Sequence, residues 1–287
     1  MSIVPQLVAN SIIAGAMYTL IALGFTLTFA TAKFFNLAHG AFATVGGYIT
    51  YSLLVQAGLS PWIAIPVGIV AAGAVAFIVH HTVFAPLRKR HSSNMVLLVA
   101  SLGAYTVLQA VIAMIWTSEF KSLPLKTAER SIEFLGGIIT RTQLFALIAA
   151  LLIAAALIIF LKFTRAGRAI TAIGDDEEVA RVVGINTNRM MALVFVIGGV
   201  VAGVSGIFTG YDTGIEPGVG MPLLLKGVIA AIIGGVGNIY GAVLGAFLLA
   251  VVENFGIWKI AAEWKDAIAF GLLILFLLFR PRGILQK

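Results

Sequence analysis

The sequence predicts an all-α protein that threads a bilayer about seven to nine times, and three observations predict it. Of its 287 residues 60% are hydrophobic and 11% charged, against roughly 45–50% and roughly 25% in soluble domains. A mean hydropathy of +1.06 leaves more apolar surface than one water-facing globule of this length can bury. The apolar residues also fall into runs of span length, separated by polar, proline-bearing or glycine-rich stretches. The expectation is a single transmembrane domain over residues 1–287, with no room for a separate enzymatic domain. The absence of cysteine excludes disulfides, thiolate metal sites and cysteine nucleophiles.

At the N-terminus there is no basic n-region, and the apolar stretch outlasts a signal peptide, so a retained span is expected. From Val4 to Val55 only Lys33, Asn36 and His39 interrupt the apolar sequence. As one helix this stretch would be about 78 Å long at about 1.5 Å per residue. It must break, and the polar cluster from Lys33 to Gly40 is the place. Asn36 and His39, three apart on one helical face and followed by Gly40, are costly in hydrocarbon unless paired. They either satisfy backbone groups freed by the break or line a solute path.

The next apolar runs are Trp62 to Phe84, Met95 to Trp116 and Gln143 to Phe163. His80, His81 and His91 offer no fourth ligand at metal spacing, so no metal site is expected. A charged loop follows from Thr164 to Arg189. Within it Ala166, Ala169, Ile170 and Ile173, then Val179, Ala180, Val182 and Val183, recur at helical spacing. That pattern predicts two short helices jointed at Gly174. Asp175 and Asp176 stand where an N-cap and first turn favour acids, and Gly184 is placed to end the second helix. Spacing alone fits a solvated loop or a docking element.

Met190 to Tyr211 is the next span. The glycine-rich stretch 222–255 is either two crossings or a re-entrant hairpin, with Gly234, Gly235, Gly237, Gly241 and Gly245 permitting close helix crossings. Inside it Lys226 and Glu253 are suited to an ion pair or to the charged ends of a zwitterion. A final span runs from about Ala267 to Phe279. If Lys33 lies inside, alternation places twelve Lys and Arg residues inside and six outside, with the N-terminus outside and the C-terminus inside. The net charge of +7 is then a matter of membrane orientation, and no nucleic-acid partner is expected.

The segment GRAITAIGDDEEVARVVGINTNRMMALVFVIGGVVAGVSG, from Gly167 to Gly206, resembles the cytoplasmic coupling loop and following helix of permeases in the branched-chain amino acid ABC importer family, the LivH type. FFNLAHGAF from Phe34 resembles that family's N-F-A-H-G motif. AAIIGGVGNIYGAVLGAFLLAVVE resembles its glycine-rich region, and KDAIAFGLLILFLLFRPRGILQK its final helix and tail. The likeness extends over essentially the whole chain.

The resemblance implies a type II ABC importer permease bundle with inverted repeats, and broken or re-entrant helices near 33–40 and 222–255. A faint echo between Asn36…Gly40-Ala41 and Asn238…Gly241-Ala242 agrees with a repeat. The implied partners are a second related permease subunit, two cytoplasmic ATP-binding subunits, a periplasmic substrate-binding protein and membrane lipid, in a bacterial inner membrane. No cofactor is expected on this chain, which has no G-x-x-x-x-G-K-[ST] phosphate loop, so ATP belongs to the partner. The ATPase-coupling surface carried over comprises Gly167, Arg168, Asp175, Asp176, Glu177, Glu178, Ala180, Arg181, Gly184 and Ile185 of loop 164–189. The translocation pathway comprises Asn36, His39, Gly40, Gly234, Gly235, Asn238 and Glu253. No residue is assigned a catalytic role. The expected cargo is a branched-chain or other hydrophobic amino acid, with urea or short amides as the alternative. A proton-coupled secondary transporter using His39 and Glu253 is the rival class, and a passive channel a third; neither accounts for loop 164–189.

Overall fold

The computed structural model describes residues 3–123 and 131–285; the expected outside charges Lys126 and Arg130 and the tail residue Lys287 lie outside the described residues. The chain folds into helices α1 (Ile3–Ala32), α2 (Ala38–Tyr51), α3 (Pro61–Val79), α4 (Ala85–Lys89), α5 (Asn94–Trp116) and α6 (Arg141–Phe163). Then come α7 (Arg165–Asp175), α8 (Glu177–Val182), α9 (Thr187–Asp212), α10 (Gly220–Gly234), α11 (Ile239–Gly256) and α12 (Lys265–Phe279). Wide π-turns at Ser52–Gln56 and His80–Phe84 extend α2 and join α3 to α4. Among the described residues six rods are long and apolar enough to cross a membrane: Ile3–Ala32, Pro61–Lys89, Asn94–Trp116, Arg141–Phe163, Thr187–Asp212 and Ile239–Gly256. α10 is a shorter apolar rod, and extended α2 and α12 complete the set.

Among the described residues the helices are joined by a small hairpin, β1 (Ile132–Phe134) against β2 (Gly137–Ile139). Leu135 and Gly136 both take positive φ, 52° and 79°, the backbone that a two-residue hairpin turn requires. Three-residue strands carry too little alternation to register in the sequence.

Packing follows residue size. α1 and α9 form the centre and are the most enclosed of the spanning rods, whereas α3, α5 and α6 are mostly exposed and form the outer wall of the bundle. The central contacts are glycine-to-backbone. A Cβ built on Gly46 of α2 would sit 2.6 Å from the Cα of Gly203 of α9, and one on Gly199 would strike Ala76 of α3. Such small-residue seams are how membrane helices gain van der Waals contact without a hydrophobic driving force.

Contacts between helix ends sort the chain into two faces. On one, Gln6 of α1 bonds Ile138 of the hairpin in both directions at 3.0 and 2.8 Å, Gln143 of α6 bonds Asp212 of α9 at 2.9 Å, and Lys121 pairs with Ile215 through the backbone. On the other, Arg88 reaches Glu177 and the Ala32 carbonyl, and the tail folds under the α10–α11 turn, with Ile284 N–H donating to the Ile233 carbonyl at 2.9 Å and Leu285 to Gly234 at 3.0 Å. The latter face gathers Lys33, Arg88, Lys89, Arg90, Lys162, Arg165, Arg168, Arg181, Arg189, Arg280 and Arg282. The former holds Lys121, Arg141, Lys259 and Lys265. α10 starts at the depth of Gly40, inside the bundle, and ends at the basic face. It does not enter and leave through one face with α11, because α11 continues on to the opposite face.

Candidate functional site

The segment 164–189 builds a platform. Thr164 caps α7, its Oγ1 accepting from Gly167 N–H at 2.9 Å. Gly167 lies directly on the Phe160 carbonyl and the Leu161 backbone of α6, so any side chain there would push α7 away. Ile170 and Ile173 are buried against α1, α6 and α9. The joint falls two residues later than the sequence suggests, at Asp176 instead of Gly174. Gly174 is helical, and its lack of a side chain brings α7 to 3.0 Å, measured from a built Cβ, of the Ala30 carbonyl. The chain turns at Asp176, whose Oδ1 accepts from Glu178 N–H at 2.8 Å and Val179 N–H at 3.0 Å. Asp175 therefore closes α7, and Asp176 caps α8. Gly184, with φ of 88°, ends α8 while Ile185 N–H bonds back to the Ala180 carbonyl at 3.0 Å.

Two fastenings hold the platform to the bundle, Gly167 on α6 and the Glu177 carboxylate. Glu177 pairs with Arg88 of α4 and with Arg181 one turn along at 3.1 Å. Of the expected coupling residues, Gly167 and Ala180 are buried packers, Arg168 and Asp175 flank a cleft beside α1, and Glu178 and Arg181 are exposed. Sequence reasoning missed which apolar residues would stay bare. Val179, Val182 and Val183 are 58%, 86% and 69% exposed on a helix that is otherwise charged. The apolar spacing was visible in the sequence, yet only the burial of Ala180 tells which side of α8 faces inward. The bond from Arg88, 89 residues away, left no local signal at all.

The expected pathway residues fall in three places. Asn36, His39 and Gly40 sit where α2 begins inside the bundle. Gly40 abuts the Gly220 carbonyl, and a Cβ on Gly220 would lie 2.5 Å from Thr44 Oγ1, so the first turns of α2 and α10 touch and then run to opposite faces. The His39 ring fills a slot between Gly24 of α1, where a built Cβ would lie 2.7 Å from Cε1, and Gly198 of α9. The break itself is patched from elsewhere. Ser101 of α5 accepts from Leu37 N–H at 3.0 Å and stands 3.2 Å from the Phe35 carbonyl. Asn36 and His39 are each 1% exposed, and both Asn36 amide atoms and His39 Nε2 lack a hydrogen-bond partner among the described residues.

Gly234, Gly235 and Asn238 form the α10–α11 turn at the basic face. Gly234 lies on the Gly241 backbone, Asn238 caps α11 by accepting from Gly241 N–H at 3.2 Å, and Gly235 (φ 112°) carries the tail, its built Cβ 2.6 Å from the Leu285 carbonyl. Glu253 is separate again. Fully buried, it accepts from Tyr18 Oη at 2.6 Å and pairs with Lys226, which also meets Asp266 at 2.7 Å, so one carboxylate ties α1, α10, α11 and α12 together. An unforeseen cluster leads into α10: Tyr105 Oη donates to the Gly218 carbonyl at 3.4 Å, and Tyr48, wholly buried against Ile215 and Trp116, leaves its hydroxyl without a partner among the described residues. Only the glycine-proline texture of 214–222 hints at it in the sequence.

Residues 7–277 match the protein family described as the permease component of branched-chain amino acid transport systems. The chain is similar to the high-affinity branched-chain amino acid transport system permease protein BraD of Pseudomonas aeruginosa, 33% identical with 98% of this chain and 95% of that one covered. It is likewise 33% identical to the LivH permease protein of Salmonella typhimurium over the same shares of both chains. Among solved structures it resembles PsaBC of Streptococcus pneumoniae, solved with a Fab, at a TM-score of 0.54 and 11% identity, covering 95% of this chain and 91% of that one. That last likeness is one of fold alone.

Proposed function

The chain belongs to the family of permease components of branched-chain amino acid transport systems, and from that premise we propose that it is the transmembrane permease of a type II ATP-driven importer for leucine, isoleucine, valine or similar neutral amino acids. The chain is a multi-pass membrane protein and one component of a transport system. Its partners, on this reading, are a second related permease, two ATPases at the basic face and a substrate-binding protein at the other. The basic face is then cytoplasmic, in keeping with the excess of Lys and Arg gathered there, and the membrane is the bacterial inner membrane. ATP stays with the ATPases, and this chain carries no cofactor.

The observation that carries the reading is the platform with its bare valines. An exposed apolar patch on an otherwise charged helix is normally covered by a partner. Here it is fastened at both ends to spanning rods. Closure of the ATPases would push α8, and the push reaches α3 through Arg88–Glu177 and α6 through Gly167, so the platform moves the rods as rigid bodies. Asn36, just before the α2–α10 junction, presents both an amide donor and a carbonyl acceptor without partners among the described residues. One side chain can therefore serve both ends of a zwitterion, which supports a path through this junction.

The test is reconstitution with the ATPases, paired permease and binding protein of its transport system. ATP-dependent leucine uptake that is lost in the Glu178→Ala/Arg181→Ala double variant, with loss of the binding protein's stimulation of ATP hydrolysis, is the expected result. Unchanged uptake and hydrolysis in that variant would remove the coupling assignment. Uptake by this chain alone in a pH gradient would replace the importer with a secondary transporter.

A further inference from the structure

At the basic face a cavity of about 740 Å³ opens between the end of α1, the end of α6, α7 and the α10–α11 turn. Three cations from three different parts of the chain, Lys33, Lys162 and Arg168, stand around it, with Asp175 as the acid at its edge. Its floor is apolar and includes Leu27, Ile158 and Ile239. Leu27 and Ile158 each lie five residues inside the ends of their helices, about 8 Å deep at about 1.5 Å per residue. The cleft therefore passes from the level of lipid headgroups into the edge of the hydrocarbon. Tyr240 on its margin is 54% exposed, the placement of an interfacial aromatic.

We propose that this cleft binds an anionic phospholipid, with its phosphate among Lys33, Lys162 and Arg168 and the start of an acyl chain along Leu27, Ile158 and Ile239. Charge selects the occupant at the mouth and depth selects it at the floor. A free phosphate would satisfy the cations and leave the apolar floor empty. A soluble protein partner would have no reason to reach 8 Å past the helix ends. Basic pockets between membrane helices on the cation-rich side are the usual form of such sites. The cleft touches α7, so a bound lipid would brace the same helix that carries the platform. The site itself does not depend on which solute crosses the bundle.

The experiment is native mass spectrometry of the purified transporter in detergent, titrated with dioleoylphosphatidylglycerol, with dioleoylphosphatidylcholine and inorganic phosphate as comparison probes. Retention of one phosphatidylglycerol over phosphatidylcholine, unaffected by millimolar phosphate, is expected. Lys33→Gln/Lys162→Gln should weaken retention about 30-fold, from about fivefold per cation, while Lys33→Arg/Lys162→Arg keeps it. Ile158→Trp, which fills the floor and leaves the cations, should also lose the lipid. Displacement by inorganic phosphate would make this a free-anion site. Equal retention of both lipids, or undiminished phosphatidylglycerol in the Gln variant, would overturn the proposal. Retention by this chain in the absence of ATPases would hold whether or not the importer reading stands.

Discussion

Two of the polar groups buried among the described residues, Glu253 with its partners and Asn36 with His39, are handled in opposite ways. Around Glu253 every charge has an answer: Tyr18 donates, Lys226 pairs, and Asp266 pairs with Lys226 in turn. Around Asn36 and His39 the backbone break is answered by Ser101, and the side chains that looked suited to the task keep unpartnered atoms. Buried amides normally find partners. A network completed within the chain holds helices together, and one left incomplete at the meeting point of two helices leaves atoms for something that passes. On the reading proposed above, that contrast makes Glu253 a structural residue and Asn36 the residue to test for the solute path.

The largest effect is expected where the completed network is cut. Glu253→Ala strands Lys226 with only the mostly exposed Asp266, and should cost about 3 kcal/mol, the lower end for breaking a buried pair. The apparent Tm in detergent reports it. Glu253→Leu with Lys226→Met removes both charges and should recover most of that loss, with transport per folded molecule retained. A double variant that is stable yet inactive would return Glu253 to the pathway.

Next comes the His39 slot. Gly24→Ala places a methyl 2.7 Å from the ring, and overpacking of this kind costs about 1–3 kcal/mol. Thermal unfolding should show it, and His39→Ala in the Gly24→Ala background should relieve part of it. Smaller still is Asn238→Ala, which deletes the α11 cap for about 1 kcal/mol. Hydrogen exchange at Gly241 should rise in that variant with little change elsewhere.

Asn238 also marks what the sequence could and could not tell. The likeness of Asn36…Gly40-Ala41 to Asn238…Gly241-Ala242 suggested a repeat, yet Asn238 caps a helix at the basic face and Asn36 caps nothing. α2 and α10 start from one contact at Gly40 and Gly220 and run to opposite faces, and the contact leaves no shared motif because backbone contact requires only that both residues be small. Span positions were legible because about 20 apolar residues are hard to mistake. The platform's two helices were legible from their caps, to within two residues at the joint. The Arg88–Glu177 and Tyr18–Glu253 bonds were not, since each joins residues far apart in sequence, with no local pattern to announce it.

Asn36 gives the sharpest form of the contrast, because it predicts the smallest change in stability and a large change in function. Its amide makes no hydrogen bond within the described residues, so Asn36→Leu replaces a buried unpaired polar group by an apolar one of the same branching, and the gain from removing the amide offsets the cost of the bulkier methyl groups. Stability should therefore hold within about 0.5 kcal/mol or improve. Leucine uptake by the reconstituted complex should fall at least about tenfold, while the ATPase subunits still assemble on the valine-bearing platform. A destabilised Asn36→Leu would mean that the amide has a partner within the assembled transporter and belongs with Glu253. Normal uptake in a stable variant would place the path elsewhere, and the lead-in to α10, with the unpartnered Tyr48 hydroxyl beside Ile215, would be the next position to probe.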